Sequence, residues 1–115
     1  LEMTSQIRLI HQLVIDMHKS QGKYKIELTV KSQKGSCFFG HKVGEKIVYD
    51  GLSLKGDICA SALGSLWPTI FAMHHGARFG WSLKETGSED MTYEACPDPA
   101  NPVVFEVRRI KEPLR

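Results

Sequence analysis

The sequence predicts an α+β domain, with a small mostly antiparallel sheet packed against a central helical segment and an N-terminal amphipathic helix in front. Three patterns carry this prediction. Apolar and polar residues alternate over residues 24–33 and again over 103–110, the period of a half-buried strand. Residues 57–75 are the most apolar part of the chain and lie between helix start and stop signals. Residues 1–22 repeat apolar side chains in steps of three and four, the period of one helical face. A chain of 115 residues suffices for one modest core. The expected organisation is therefore a single domain over 23–112 with 1–22 as an extension.

Each element has a local reason. Thr4 or Ser5 offers the N-cap oxygen of the first helix, and Ile7, Ile10, Val14 and Met17 follow one face, widened by Leu9 and Leu13. Lys19 suits the negative end of the helix dipole, and Gly22 is a natural stop. In the strand that follows, Tyr24, Ile26, Leu28 and Val30 face one way while Lys25, Glu27, Thr29 and Lys31 face the other. Lys34-Gly35-Ser36 turns the chain into Cys37-Phe38-Phe39. Residues 46–49 read as a second strand closed by an Asp50-Gly51 turn, and 52–56 as a connecting loop. Asp57 is the expected N-cap of a helix carrying Ile58, Cys59, Ala62, Leu63 and Leu66 inward. Pro68 is expected to divide this segment into two pieces meeting near residues 64–67, the second ending at His75-Gly76. Residues 78–91 read as a loop anchored by Phe79 and Trp81, 91–95 as a short strand, and 103–110 as the last strand.

Composition narrows the function classes. Hydrophobic residues make up 42% and charged residues 24%, as in ordinary soluble globular proteins. A net charge of +2 does not make nucleic acid or an anionic membrane the default partner. The basic end, Arg108, Arg109, Lys111 and Arg115, is partly offset by Glu106 and Glu112 and reads as a solvated strand end. No apolar run approaches the ~20 residues of a membrane span, and no signal-peptide h-region opens the sequence. A reducing cytoplasm is the expected compartment. The odd cysteine count argues against a disulfide framework and for free thiols or metal thiolates. Neither a phosphate-cradling glycine loop nor a nucleophile–base–carboxylate pattern is legible.

The chemically specific stretch is 35–62, G-S-C-F-F-G-H-K-V-G-E-K-I-V-Y-D-G-L-S-L-K-G-D-I-C-A-S-A, with Cys37, His41 and Cys59. Cys96 follows in the turn-rich run A-C-P-D-P-A-N-P. Thiolate and imidazole are zinc ligands, and four of them close a structural site. Cys37 and His41 form the one short pair, Cys-x3-His; Cys59 and Cys96 would complete the set from a helix start and a loop. An iron–sulfur cluster is the second choice, although cluster proteins space their cysteines more tightly. The plainer reading makes the three cysteines small core fillers. Cys59 also falls in a helix first turn, where the dipole favours a thiolate nucleophile or redox centre, although Asp57 opposes further negative charge. His74 and His75 point about 100° apart on a helix and suit a helix end better than a metal. His11 and His18 read as boundary residues of the first helix.

The run from Tyr24 to Lys111 resembles a family of small, functionally uncharacterised bacterial and archaeal proteins. The resemblance is carried by K-I-E-L-T-V-K-S-Q-K-G-S-C, H-K-V-G-E-K-I-V, K-G-D-I-C-A-S-A-L, G-A-R-F-G-W and A-C-P-D-P-A-N-P-V-V-F-E-V-R-R-I, in that order. The first 22 residues fall outside it. The resemblance supplies no activity. It implies that Cys37, Cys59 and Cys96 act together, with His41 the less constant member, so a three-thiolate site with an open fourth position is a variant.

Three function classes follow. The leading one is a small accessory or binding protein holding a metal, zinc first, through Cys37, Cys59 and Cys96 with His41. The second is a small thiol-dependent redox or transferase-like enzyme using Cys59, with Trp67, Phe79 and Trp81 lining its pocket. The third is an interaction module engaging a protein partner or a second copy through residues 5–20.

Overall fold

The alternating stretches are strands of one sheet in the computed structural model, which describes residues 5–10 and 24–111. A helical stretch over 5–10 (α1) is followed by β1 (Lys25–Gln33), β2 (Lys46–Tyr49), β3 (Leu54–Lys55), α2 (Ala60–His74), α3 (Ser82–Thr86), β4 (Met91–Ala95) and β5 (Val103–Ile110). The sheet order is β3-β2-β1-β5-β4, and each neighbouring pair is antiparallel. The expected α+β architecture, a sheet against a central helix, is therefore present. The expected helix over 1–22 lies mostly outside the described residues.

The two longest strands form the centre, and their register explains the core. Leu28 stands opposite Val107 on β5 and Ile47 on β2, so three apolar side chains line up across one face. Ile26, Leu28, Val30, Val103, Phe105 and Val107 are essentially fully buried on that face. Helix α2 covers it with Ala62, Leu66, Ile70 and Met73, spaced by four, four and three residues. The opposite face is polar and self-paired. Lys46 Nζ lies 3.0 Å from Glu27, Arg108 lies 2.8 Å from Glu106, and Lys31 Nζ sits 3.6 Å above the Tyr93 ring.

Four expectations on the elements are corrected. Residues 60–74 form one helix, with Pro68 inside it. Proline deprives the Gly64 carbonyl of its intrahelical donor, but both residues lie on the exposed side, where solvent replaces the bond. The N-cap is Cys59, two residues beyond Asp57. The loop over 52–56 contains β3, which pairs Val48 with Lys55 and Tyr49 with Leu54. The Asp50 carboxylate accepts the Leu52 and Ser53 amides and tightens this hairpin turn. Residues 78–91 contain the short helix α3, closed by Gly87 at φ 79°.

The basic end of the chain is also corrected. Arg109 is only 4% exposed. Its guanidinium donates to the Met73 carbonyl at 2.7 Å and the Ala77 carbonyl at 2.9 Å, and its Nε donates to Asp90 at 3.2 Å. It therefore fastens the C-terminal end of α2 to the sheet, placing a cation where the helix dipole is negative. His74, expected at a surface, is buried and hydrogen-bonded to the Tyr24 carbonyl at 2.7 Å.

Candidate functional site

The opposite, N-terminal end of α2 is where the cysteines meet. Three segments converge there: the loop leaving β1, the start of α2, and the loop joining β4 to β5. A pocket of about 310 Å³ between them is lined by Cys37, Cys59 and Cys96 together with Phe38, Phe39, Ser61 and Asp98. Residues separated by 22 and 37 positions in the sequence thus open onto one space. All three thiols are free and half-buried.

Backbone amides fix two of the three thiols, Cys37 and Cys96. In the first loop the Gly40 amide donates to the Cys37 carbonyl at 3.1 Å, and the His41 amide donates to Cys37 Sγ at 3.4 Å. In the last loop the Cys96 amide donates to the Val103 carbonyl at 2.9 Å, while the Val103 amide returns a bond to Cys96 Sγ at 3.3 Å. The two loops are tied by Asn101, whose Oδ1 accepts the Ser36 amide at 2.8 Å. Gly35, at φ 67°, is required for this contact, because a Cβ there would collide with the Asn101 side chain. Asp98 caps the same turn by accepting the Ala100 and Asn101 amides and the Asn101 side chain. These bonds, the Asn101 side chain foremost, hold its carboxyl below the usual aspartate value.

His41 has a different place from that expected of a ligand. It is 3% exposed, stacked on Phe39 at 4.4 Å between ring centroids and edge-on to Phe105 at 5.4 Å. Its Nε2 accepts the backbone amide of Cys59 at 3.1 Å, and its Nδ1 lies 3.0 Å from the Glu45 carboxylate. Accepting at Nε2 puts the proton on Nδ1, which donates to Glu45 and lowers that carboxyl's pKa. Neither nitrogen then offers a lone pair to the pocket. As placed, His41 connects the Cys37 loop to the Cys59 backbone.

Among the described residues, no group of three or more His, Cys, Asp or Glu side chains is placed so that it could hold a metal ion as the chain stands. The thiols share a pocket without being drawn into a coordination set. The aromatic residues expected beside Cys59 lie elsewhere. Trp67 is two helical turns away on the outer face of α2, and Phe79 and Trp81 stack on each other at 4.8 Å beside Thr92. Phe38, Phe39 and Asp98 line the pocket instead, and sequence spacing gave no sign of them beyond adjacency to cysteine. His11 and His18 lie outside the described residues.

Chemically, the site is an open, partly apolar recess presenting three thiols at the start of a 15-residue helix that has no side-chain cap. No described helix is long and apolar enough to cross a membrane. Comparison with family models, curated proteins and solved structures found no match.

Proposed function

We propose that this domain is a small binding module whose working site is the three-thiol pocket, and that its ligand is thiophilic. One observation carries the reading: Cys37, Cys59 and Cys96 come from three separate segments and line the same recess. Amide donors aimed at the Cys37 and Cys96 sulfurs support it, since such bonds orient thiolate ligands and offset their charge. Zinc is the first candidate ligand. Because the thiols are not gathered as they stand, holding one ion requires their side chains to rotate inward. His41 is engaged with Cys59 and Glu45, and the Asp98 carboxylate, which also lines the pocket, is engaged with Ala100 and Asn101.

The test uses full-length protein purified without oxygen, with metal content and thiol reactivity measured together. The expected result is about one zinc per chain with all three thiols masked until unfolding. Cys37→Ser, Cys59→Ser and Cys96→Ser should each weaken zinc binding. A chain that takes up no zinc, and whose thiols alkylate at rates indifferent to one another's substitution, would overturn the shared site. A second reading, thiol chemistry at Cys59, is favoured by its N-cap position facing the recess. Its signature is one fast-reacting thiol in metal-free protein, abolished by Cys59→Ser with the fold intact.

A further inference from the structure

Three thiols can line one recess without meeting at one point, and that arrangement bears on what they hold. Cys37, Cys59 and Cys96 open from three separate segments onto a space of about 310 Å³. A single zinc ion draws its thiolates in to about 2.3 Å and would leave most of that space unfilled. An iron–sulfur cluster is wider, and each thiolate bonds its own iron, so the sulfurs stay apart. Among the described residues the cysteines are not gathered around one ion as the chain stands. Residue type favours zinc; the arrangement favours the wider ligand.

The surroundings suit a ligand that adds negative charge at the sulfurs. The His41 amide donates to Cys37 Sγ at 3.4 Å and the Val103 amide to Cys96 Sγ at 3.3 Å. Hydrogen bonds to ligand sulfurs are among the means by which a protein tunes a bound cluster. Cys59 is the N-cap of α2, whose start has no side-chain cap and whose first turn has no acidic residue. The positive end of a 15-residue helix therefore stands beside the recess, with Ser61 also on its wall. The one acid lining the recess, Asp98, accepts the Ala100 and Asn101 amides of its own loop. Phe39 and Pro97 make part of the remaining wall apolar.

We propose that the recess holds a four-iron, four-sulfide cluster on Cys37, Cys59 and Cys96, with the fourth iron left open to a small thiol from solution. This rests on the shared thiol site proposed above and names its ligand. The open iron follows from the inventory of donors. The chain has three cysteines, and both ring nitrogens of His41 are engaged, one with the Cys59 amide and one with Glu45. Three irons therefore take protein thiolates and one does not. The long sequence intervals between the cysteines are no obstacle, because the folding of β1, α2 and the β4–β5 loop brings together what a tight motif supplies in other cluster proteins.

The experiment mixes the full chain, reduced and free of oxygen, with a synthetic cluster of this type capped by four mercaptoethanol thiolates. Three caps should exchange for the three cysteines. In each exchange one iron–sulfur bond breaks, one forms, and the cysteine proton leaves on the released mercaptoethanol, with no change of oxidation state. After gel filtration the chain should retain about four irons and four sulfides, with all three cysteines masked to alkylation. One mercaptoethanol should remain on the open iron, displaceable by an excess of a second small thiol. Cys37→Ser, Cys59→Ser and Cys96→Ser should each lose most of the iron, with an unchanged circular dichroism spectrum. Iron retained equally by the three variants would mark adventitious binding and overturn the proposal, and a cluster that keeps no mercaptoethanol would overturn the open iron. Zinc that masks all three thiols in a chain that takes up no cluster would overturn the cluster while leaving the shared site standing. A chain that binds neither, with thiols that react independently, would overturn both.

Discussion

Replacing Arg109 by methionine tests how α2 is attached to the sheet. Methionine keeps most of the buried volume, so the cavity contribution is small and the polar loss dominates. Two partners of the guanidinium, the Met73 and Ala77 carbonyls, are backbone groups that no compensating rotamer can remove. The Met73 carbonyl keeps the Gly76 amide at 3.0 Å, so the Ala77 carbonyl is the group left short of a donor, at about 1–3 kcal/mol. The Asp90 carboxylate also loses its nearest buried cation, although Lys111 remains 3.0 Å away. The loss therefore falls at the lower end, about 3 kcal/mol, of what breaking a buried ion pair from one side costs. Against a total stability of about 5–15 kcal/mol, that is a large fraction. With a urea slope of about 1.5 kcal/mol/M, the unfolding midpoint should fall by about 2 M. Arg109→Lys should give a smaller loss, since one ammonium cannot span both carbonyls and Asp90. A midpoint shift below about 0.5 M in Arg109→Met would refute the reasoning, because the helix end would then be satisfied without the guanidinium.

Two further predictions concern single groups. His41→Ala should cost about 2–4 kcal/mol by leaving a cavity beside Phe105 and removing the acceptor of the Cys59 amide. The Glu45 carboxyl should then titrate closer to its ordinary value of 4.5 by NMR, since the His41 hydrogen bond is the main cause of its depression; an unmoved Glu45 would contradict the assigned bond. Asp90 governs part of the acid response. Burial pushes its carboxyl up, but the hydrogen bonds from Lys111 and Arg109 more than reverse this and hold it below the ordinary 3.8. A carboxylate depressed on folding stabilises above its unfolded value and loses that stability as pH falls through the folded value. Melting temperature should therefore drop below about pH 4, and less steeply in Asp90→Asn; equal slopes would remove Asp90 from the account.

The strands were legible because their signal is local. A period of two over residues 103–110 requires only that one face be buried, and that face is. The same holds for β1 and β2. β3 was not legible, since two residues carry no period and its pairing is imposed by the Asp50–Gly51 turn and the β2 edge. Pro68 misled for a related reason. Its cost depends on where the deprived carbonyl points, and only the orientation of α2 shows that Gly64 faces outward. Arg109 alternates correctly with Phe105 and Val107 on the buried face, so its position was written in the period. Its charge argued the other way, and the free carbonyls of a helix end decided between them.

At the site, spacing disclosed the members but not their relations. Convergence of Cys37, Cys59 and Cys96 depends on how β1, α2 and β5 are arranged, a long-range property that no short motif encodes. The Cys37-x3-His41 pair shows this most clearly. A turn does bring the two together, but through the His41 amide and the Cys37 sulfur rather than through imidazole and thiol aimed at one point. The imidazole turns inward because Phe39 and Phe105 offer it a buried slot and the uncapped start of α2 offers it an amide. A residue type that reads as a ligand thus also satisfies a helix terminus. By holding the Cys59 amide, His41 sets where the helix begins and hence where the Cys59 thiol meets the pocket.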